Sequence, residues 1–174
     1  MKTSWETTNL LLKPATQGVI SDIVEIEKRL KSEGFFGGDS EDKHLTYLDN
    51  PDVAYWIITT KRNQLIGYII LQGLRKTARH GSVELKRMAL TETNQGFGGE
   101  VMDMIKKIVF DHFEAHRLWL DVYAHNERAV HVYKRSGFTV EGTLRECIRE
   151  NDEFISLVIM SILEAEYRAS LESQ

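Results

Sequence analysis

Apolar and polar positions change rhythm twice along the chain, and the changes mark its elements. Asn9–Leu12, running into Lys13–Pro14, predicts a first strand. Ile20, Ile23, Val24 and Leu30 then recur at helical spacing behind Ser21 and Asp22, which predicts a first helix. Gly34, Gly37 and Gly38 around Phe35–Phe36 read as a loop carrying two aromatics. Asp39 or Ser40 would cap a short second helix with Glu41 and Asp42 in its first turn, ended by Asp49–Asn50–Pro51. Val53–Thr60 and Leu65–Leu71 are rich in β-branched and aromatic residues, and the polar turn Lys61–Gln64 makes them an antiparallel hairpin. Ser82–Leu90 adds another strand.

Beyond it the period lengthens. Met102, Ile105, Val109 and Phe113 share one face of a long third helix. Leu118–Tyr123 reads as a buried strand, and Ala129, Val130 and Tyr133 open a fourth helix that stops before Gly137. Phe138–Cys147 and Phe154–Leu163 follow as two strands joined by the polar turn Glu150–Glu153, and the tail from Glu164 is helical by propensity. Hairpins followed by strand-helix-strand-helix-strand predict an α/β (α+β) domain. Its sheet would be central, twisted, mixed but mostly antiparallel, with about seven strands and about four flanking helices.

Composition narrows the function classes. The 174 residues suit one domain, and 42% hydrophobic content is too high for disorder. A net charge of −4, from 22 basic and 26 acidic residues, argues against nucleic acid as the main partner. A single cysteine, Cys147, excludes an internal disulfide and a multi-cysteine metal site, so no metal is expected. Met1–Glu6 has no apolar signal core and no run approaches the roughly 20 residues of a membrane span, so a cytoplasmic protein is expected.

Chemistry concentrates in Asn94–Glu100, between a strand and a long helix. Its glycines let the backbone turn tightly, and the N–H groups of the helix start favour a phosphate or pyrophosphate. The plain alternative is a glycine-rich turn with no ligand. No Gly-Lys-Ser/Thr follows, which removes a Walker loop. A dinucleotide fingerprint would need glycine where Val101 stands. Asp121 does end the next strand at the distance of a ribose contact, so that reading takes second place.

Three motifs in order carry a resemblance. Gln95-Gly-Phe-Gly-Gly-Glu100 resembles the acetyl-CoA pyrophosphate loop of the GNAT N-acetyltransferases, Gln/Arg-x-x-Gly-x-Gly/Ala, with Glu100 departing at the last position. Asn126, Ala129, Tyr133, Gly137 and Phe138 resemble the family's Asn-x-x-Ala-x-x-x-Tyr-x-x-x-Gly-Phe. Glu141–Glu146 resembles the branch of ribosomal-protein alanine and spermidine N-acetyltransferases, where a glutamate at the place of Glu100 is also common.

The resemblance implies the acyl-CoA N-acyltransferase fold over residues 1–174 as one domain. Residues 82–163 would bind acetyl-CoA and residues 1–80 would form the acceptor side. It implies acetyl transfer to a primary amine, either a small molecule such as a polyamine or a protein N-terminal α-amine. The backbone of Gln95, Gly96, Phe97, Gly98, Gly99 and Glu100 would carry the pyrophosphate, and that of Met88, Ala89 and Leu90 the pantetheine. Asn126 would hold pantetheine amides, its plain role being a helix N-cap. Tyr133 would protonate the leaving thiolate.

An alkylamine arrives charged and must lose a proton. Glu84 is the candidate base, since strand alternation puts it on one face with Lys86 and Met88; otherwise it is a surface carboxylate. Phe35 and Phe36 are candidate acceptor contacts beside Asp39, Glu41 and Asp42. A non-catalytic CoA-binding module and a dinucleotide-dependent oxidoreductase stand as alternatives. No nucleic-acid or membrane partner is expected, and oligomeric state stays open, a homodimer being one arrangement the sequence allows. His112 and His116, four apart on the third helix, read as a solvated helix end. Cys147 reads as a packing residue, and Arg75–Lys76–Arg79 as a solvated loop or a clamp for an acidic group.

Overall fold

Long β-branched runs can pair only if both their faces are covered, and the fold meets that demand with one sheet between two layers of helix. The computed structural model describes residues 3–34, 38–75, 81–92 and 95–172. Its strands are β1 (Trp5–Glu6), β2 (Leu10–Pro14), β3 (Val53–Thr60), β4 (Leu65–Gln72), β5 (Ser82–Leu90), β6 (Arg117–Tyr123), β7 (Thr139–Glu150) and β8 (Glu153–Leu163). The helices are α1 (Ile20–Ser32), α2 (Glu41–Asp49), α3 (Phe97–Lys107), α4 (Glu127–Arg135) and α5 (Glu164–Glu172). There are thus eight strands where about seven are expected. The added one, β1, is two residues long and too short to show a period.

Strand order is β1-β2-β3-β4-β5-β6-β8-β7, and β5–β6 is the parallel pair in an otherwise antiparallel sheet. Alternation along β3 sorts side chains to the two layers. Ala54, Trp56 and Ile58 join Val101, Met102, Ile105 and Val109 of the α3 side, while Val53 and Tyr55 join Ile20, Ile23 and Tyr47 under α1 and α2. Ser40 caps α2, accepting a hydrogen bond from the Lys43 N–H at 3.2 Å.

Two local expectations are corrected. The third helix widens after Lys107 into a π-helical turn, Ile108–His112, which keeps Ile108, Val109 and Phe110 buried in succession. His116 therefore lies beyond the helix and not one turn from His112. Cys147 is exposed on β7, so it does not serve packing. The edge position of β7, whose residues are nearly all solvent-facing, is the reason.

Candidate active site

The site begins where a strand pair stops pairing. β5 and β6 share a parallel ladder only over Ser82–Arg117, Val83–Leu118 and Glu84–Trp119. Beyond those pairs a cleft of about 370 Å³ lies between them, lined by Leu85–Leu90 from β5 and by Asp121, Val122 and Tyr123 from β6. That volume falls in the range of small-ligand sites. A register shift between β4 and β5 at Ile70–Leu71 adds a bulge at Lys86. The bulge breaks alternation: Met88 packs on the α3 side with Leu85, while Glu84 pairs with Gln72 on the other face.

Glu84 is consequently placed differently from the sequence expectation. It sits on the last rung of the β5–β6 ladder and does not line the cleft. Its buried carboxylate accepts from Gln72 Nε2, and Lys86 Nζ stands at 3.4 Å. Met88, Ala89 and Leu90 do line the cleft, as do Asn126 and Tyr133. Asn126 Oδ1 caps α4, accepting from the Ala129 N–H at 3.1 Å, which delivers Tyr133 two turns later to the same wall. Burial, and secondarily the charge of Asp121, push the Tyr133 phenol up to about 12. It is therefore protonated at neutral pH, as an acid must be.

The glycine-rich turn lies beside this wall. Gly96 adopts a left-handed backbone, with φ of 77°, as the N-cap of α3, and no side chain caps the helix. A Cβ at Gly96 or Gly99 would meet nothing within 4 Å, and one at Gly98 would lie 3.8 Å from Val132 on α4. Open space above uncapped N–H groups is what an anionic group needs there. Phe97 packs against the core, and Gln95 Nε2 reaches Glu92 at 3.3 Å. Glu100 turns away to Asn9, accepting from its N–H at 2.7 Å and its Nδ2 at 2.9 Å. Burial opposes ionisation of Glu100, but hydrogen bonds from Thr7 and Asn9 outweigh it and hold the carboxyl below its ordinary value.

Several cleft residues escaped sequence reasoning. Arg87 reaches the cleft edge with Asp39 Oδ2 at 3.5 Å; burial works against its charge, and Asp39 and neighbouring groups outweigh that. Behind it lies a buried polar cluster. Glu27, 2% exposed, accepts from the Tyr68 hydroxyl and from the Asp39 N–H at 2.5 Å, with His44 Nε2 at 3.2 Å. His44 Nδ1 in turn meets the Tyr55 hydroxyl at 2.9 Å. Tyr123 and Glu150 close the far side of the cleft, the Tyr123 hydroxyl donating to Glu150 Oε1 at 2.6 Å. Polar residues at otherwise apolar positions of strands and helices were the available signal; without the tertiary arrangement they could not be paired. Phe35, Phe36, Lys76 and Arg79 lie outside the described residues.

This constellation, a splayed parallel pair beside an uncapped glycine-rich helix start, defines an acyl-CoA N-acyltransferase fold. The model of the acetyltransferase (GNAT) family matches residues 20–138, more than half of the chain, and the chain belongs to that family. The curated spermidine N(1)-acetyltransferase of Vibrio cholerae is 28% identical over 126 residues, 72% of this chain and 70% of that protein. A crystal structure of spermidine N-acetyltransferase from Vibrio cholerae in complex with CoA and spermine superposes with a TM-score of 0.79. Its identity is 21%, covering 91% of this chain and 98% of the other. A dodecameric structure from the same organism gives 0.75 at 21% identity, covering 91% and 95%.

The oxidoreductase alternative is thereby corrected. Asp121 lies inside β6, paired with Ile159, and the preceding strands are antiparallel, unlike a dinucleotide-binding array. Among the described residues no helix is long and apolar enough to cross a membrane.

Proposed function

We infer that this chain transfers the acetyl group of acetyl-CoA directly to a primary amine while both substrates are bound. The observation that carries the reading is the cleft where β5 and β6 part, with Tyr133 and Asn126 on its wall and the open start of α3 alongside. Acetyl-CoA supplies the activated acetyl group. Backbone N–H groups of Gln95–Glu100 hold its pyrophosphate, which suits a chain whose net charge is −4 and which has no excess of basic residues to attract a polyanion. The backbone of Met88, Ala89 and Leu90 on the edge away from β4, together with Asn126, holds the pantetheine and polarises the thioester carbonyl. Tyr133 gives a proton to the departing sulfur. Glu84 serves as a positioning residue, fixing Lys86 on the cleft wall.

The acceptor in this reading is a polyamine or a similar alkylamine. Carboxylates of Asp121 and Glu150 in the cleft and the activity named for the spermidine acetyltransferase relatives support it. Phe35 and Phe36 keep their role as acceptor contacts in the first half of the chain, residues 1–80, with donor binding in residues 82–163 of the same domain. A cytoplasmic enzyme fits an acetyl-CoA donor. The exposed Val140 and Leu144 on β7 and Phe154 on β8 favour a homodimer through that hairpin.

The test is thiol release from acetyl-CoA over a panel of polyamines, amino acids, aminoglycosides and N-terminal peptides, with acetyl-CoA binding measured by calorimetry. Binding together with amine-dependent thiol release is expected. Thermal stabilisation by NAD and none by acetyl-CoA would refute the reading, and binding without release over the whole panel would favour the non-catalytic module.

A further inference from the structure

A second cavity of about 410 Å³ adjoins the cleft, and Glu150 lines both. The second cavity is lined by Glu150, Asn151 and residues 153–156 of the β7–β8 hairpin, by Lys31 in the last turn of α1 and by Gly34 just past it. His125 Nε2 meets the Gly34 carbonyl at 2.9 Å and ties that helix end to the β6–α4 loop. Glu150 closes the hairpin opposite Glu153, and Asn151 and Asp152 both take left-handed backbone in the turn between them. Lower down, a register shift spends four steps of β7 on two of β8, between Leu144–Leu157 and Ile148–Ile155. Past that irregularity Ile148 and Glu150 both line the cleft. Glu150 is half-buried, and Tyr123 holds its Oε1 at 2.6 Å.

We propose that Glu150, oriented by the Tyr123 hydroxyl, receives the acceptor's ammonium group and takes its proton, the acceptor being a cationic primary alkylamine that enters through the second cavity. The assignment rests on the acetyl-transfer reading and supplies the base that Glu84, below the cleft, is not placed to be. Geometry favours Glu150 over the other carboxylate of the cleft. Asp121 lies within β6, beside Tyr133, and lines the first cavity alone, whereas Glu150 lines both cavities and stands where an amine entering through the second would meet the cleft. A carboxylate there also offsets the nearby cations Lys86 and Arg87, which would otherwise repel an ammonium group.

The ammonium gives one proton to the Glu150 carboxylate, and the freed lone pair forms the C–N bond as the thioester C–S bond breaks. Sulfur takes the Tyr133 proton. The nitrogen's second proton returns through the cleft to the Tyr133 phenolate, and Glu150 loses its proton to solvent through the second cavity. The products are an amide, the free thiol and one proton.

The experiment compares wild type, Glu150→Gln, Glu150→Asp and Tyr123→Phe, with spermidine and a simple alkylamine as probes. Glu150→Gln is expected to lower kcat/KM for the amine by about 100-fold, acting on both kcat and amine KM. The acetyl-CoA Kd should stay within about twofold, since a cost confined to the amine side implies no loss of donor binding. Glu150→Asp should recover part of the rate. Tyr123→Phe should raise amine KM with a smaller effect on kcat, and it reads the same site if Glu150→Gln fails to fold. Unchanged amine kcat/KM in Glu150→Gln, or a loss matched by equally weakened acetyl-CoA binding, would overturn the proposal and leave the acetyl-transfer reading intact. Wild type that neither binds acetyl-CoA nor releases thiol would overturn both.

Discussion

Replacing Tyr133 by Phe removes one oxygen from the cleft wall and leaves the ring in place. The ring lies 5.9 Å from Phe138, centroid to centroid, and is 9% exposed, so the packing that holds α4 on the sheet survives. A change of about 1 kcal/mol or less in stability is expected. The rate consequence follows from the proton. With its pKa pushed up to about 12 by burial and then by Asp121, the phenol stays protonated at working pH but is a weak acid. Full transfer of its proton to the thiolate of a thiol of ordinary pKa, about 8.5, would be uphill by roughly 3.5 units. Tyr133 therefore acts by partial transfer to sulfur as charge develops there. That places its contribution at the lower end of general acid catalysis, about 100-fold or roughly 2.7 kcal/mol of barrier. The assay is saturating thiol release with a chromogenic disulfide, paired with calorimetric titration of acetyl-CoA. We expect kcat to fall about 100-fold while the acetyl-CoA Kd changes less than about twofold, because the hydroxyl acts in the transition state. Turnover within about threefold of wild type would show that the acid lies elsewhere.

Three further outcomes test the scaffold. Glu27→Ala strands the Tyr68 hydroxyl and the Asp39 N–H beneath α1 and should cost about 3–5 kcal/mol in urea unfolding, with Glu27→Gln costing less; a loss under about 1 kcal/mol would deny the cluster its structural weight. Gly67→Ala places a Cβ 2.0 Å from the Ala89 carbonyl oxygen on β5, so it should destabilise by about 2 kcal/mol or more and weaken acetyl-CoA binding by shifting the cleft edge; unaltered calorimetry would contradict that close approach. Alkaline pH should also destabilise. Tyr47 and Tyr133 are both pushed up to about 12, chiefly by burial, so above pH 10 the unfolded chain sheds protons that the folded chain keeps. Stability should then fall from about pH 10 to 12 by roughly 1.4 kcal/mol per pH unit for each such tyrosine, and a flat urea midpoint across that window would refute it.

Local order was legible without coordinates. Richness in β-branched and aromatic residues marked Val53–Thr60 to the residue, because a strand buried on both faces needs a nearly continuous apolar run, and the more polar Ser82–Leu90 was also bounded to the residue. The glycine-rich turn and the span from Asn126 to Phe138 were equally readable, since helix starts and caps are set by neighbours in the chain. Glu84 shows where that logic stopped. Alternation placed it with Met88, and a bulge at Lys86, visible only in the pairing with β4, separated them. The cleft exists because β5 leaves β6 after three rungs, and Glu150 reaches it because a register shift and a left-handed turn shape the β7–β8 hairpin. Glu27, His44, Tyr55 and Tyr68 come from four separate elements and become one cluster only when α1 and α2 close on the sheet. Sequence by itself determined which segments become strands and helices and which carried the donor-site motifs, because those depend on near neighbours. Where a strand stops pairing, and which distant carboxylate then faces the gap, depends on the register of the whole sheet, and that was decided only by the tertiary structure.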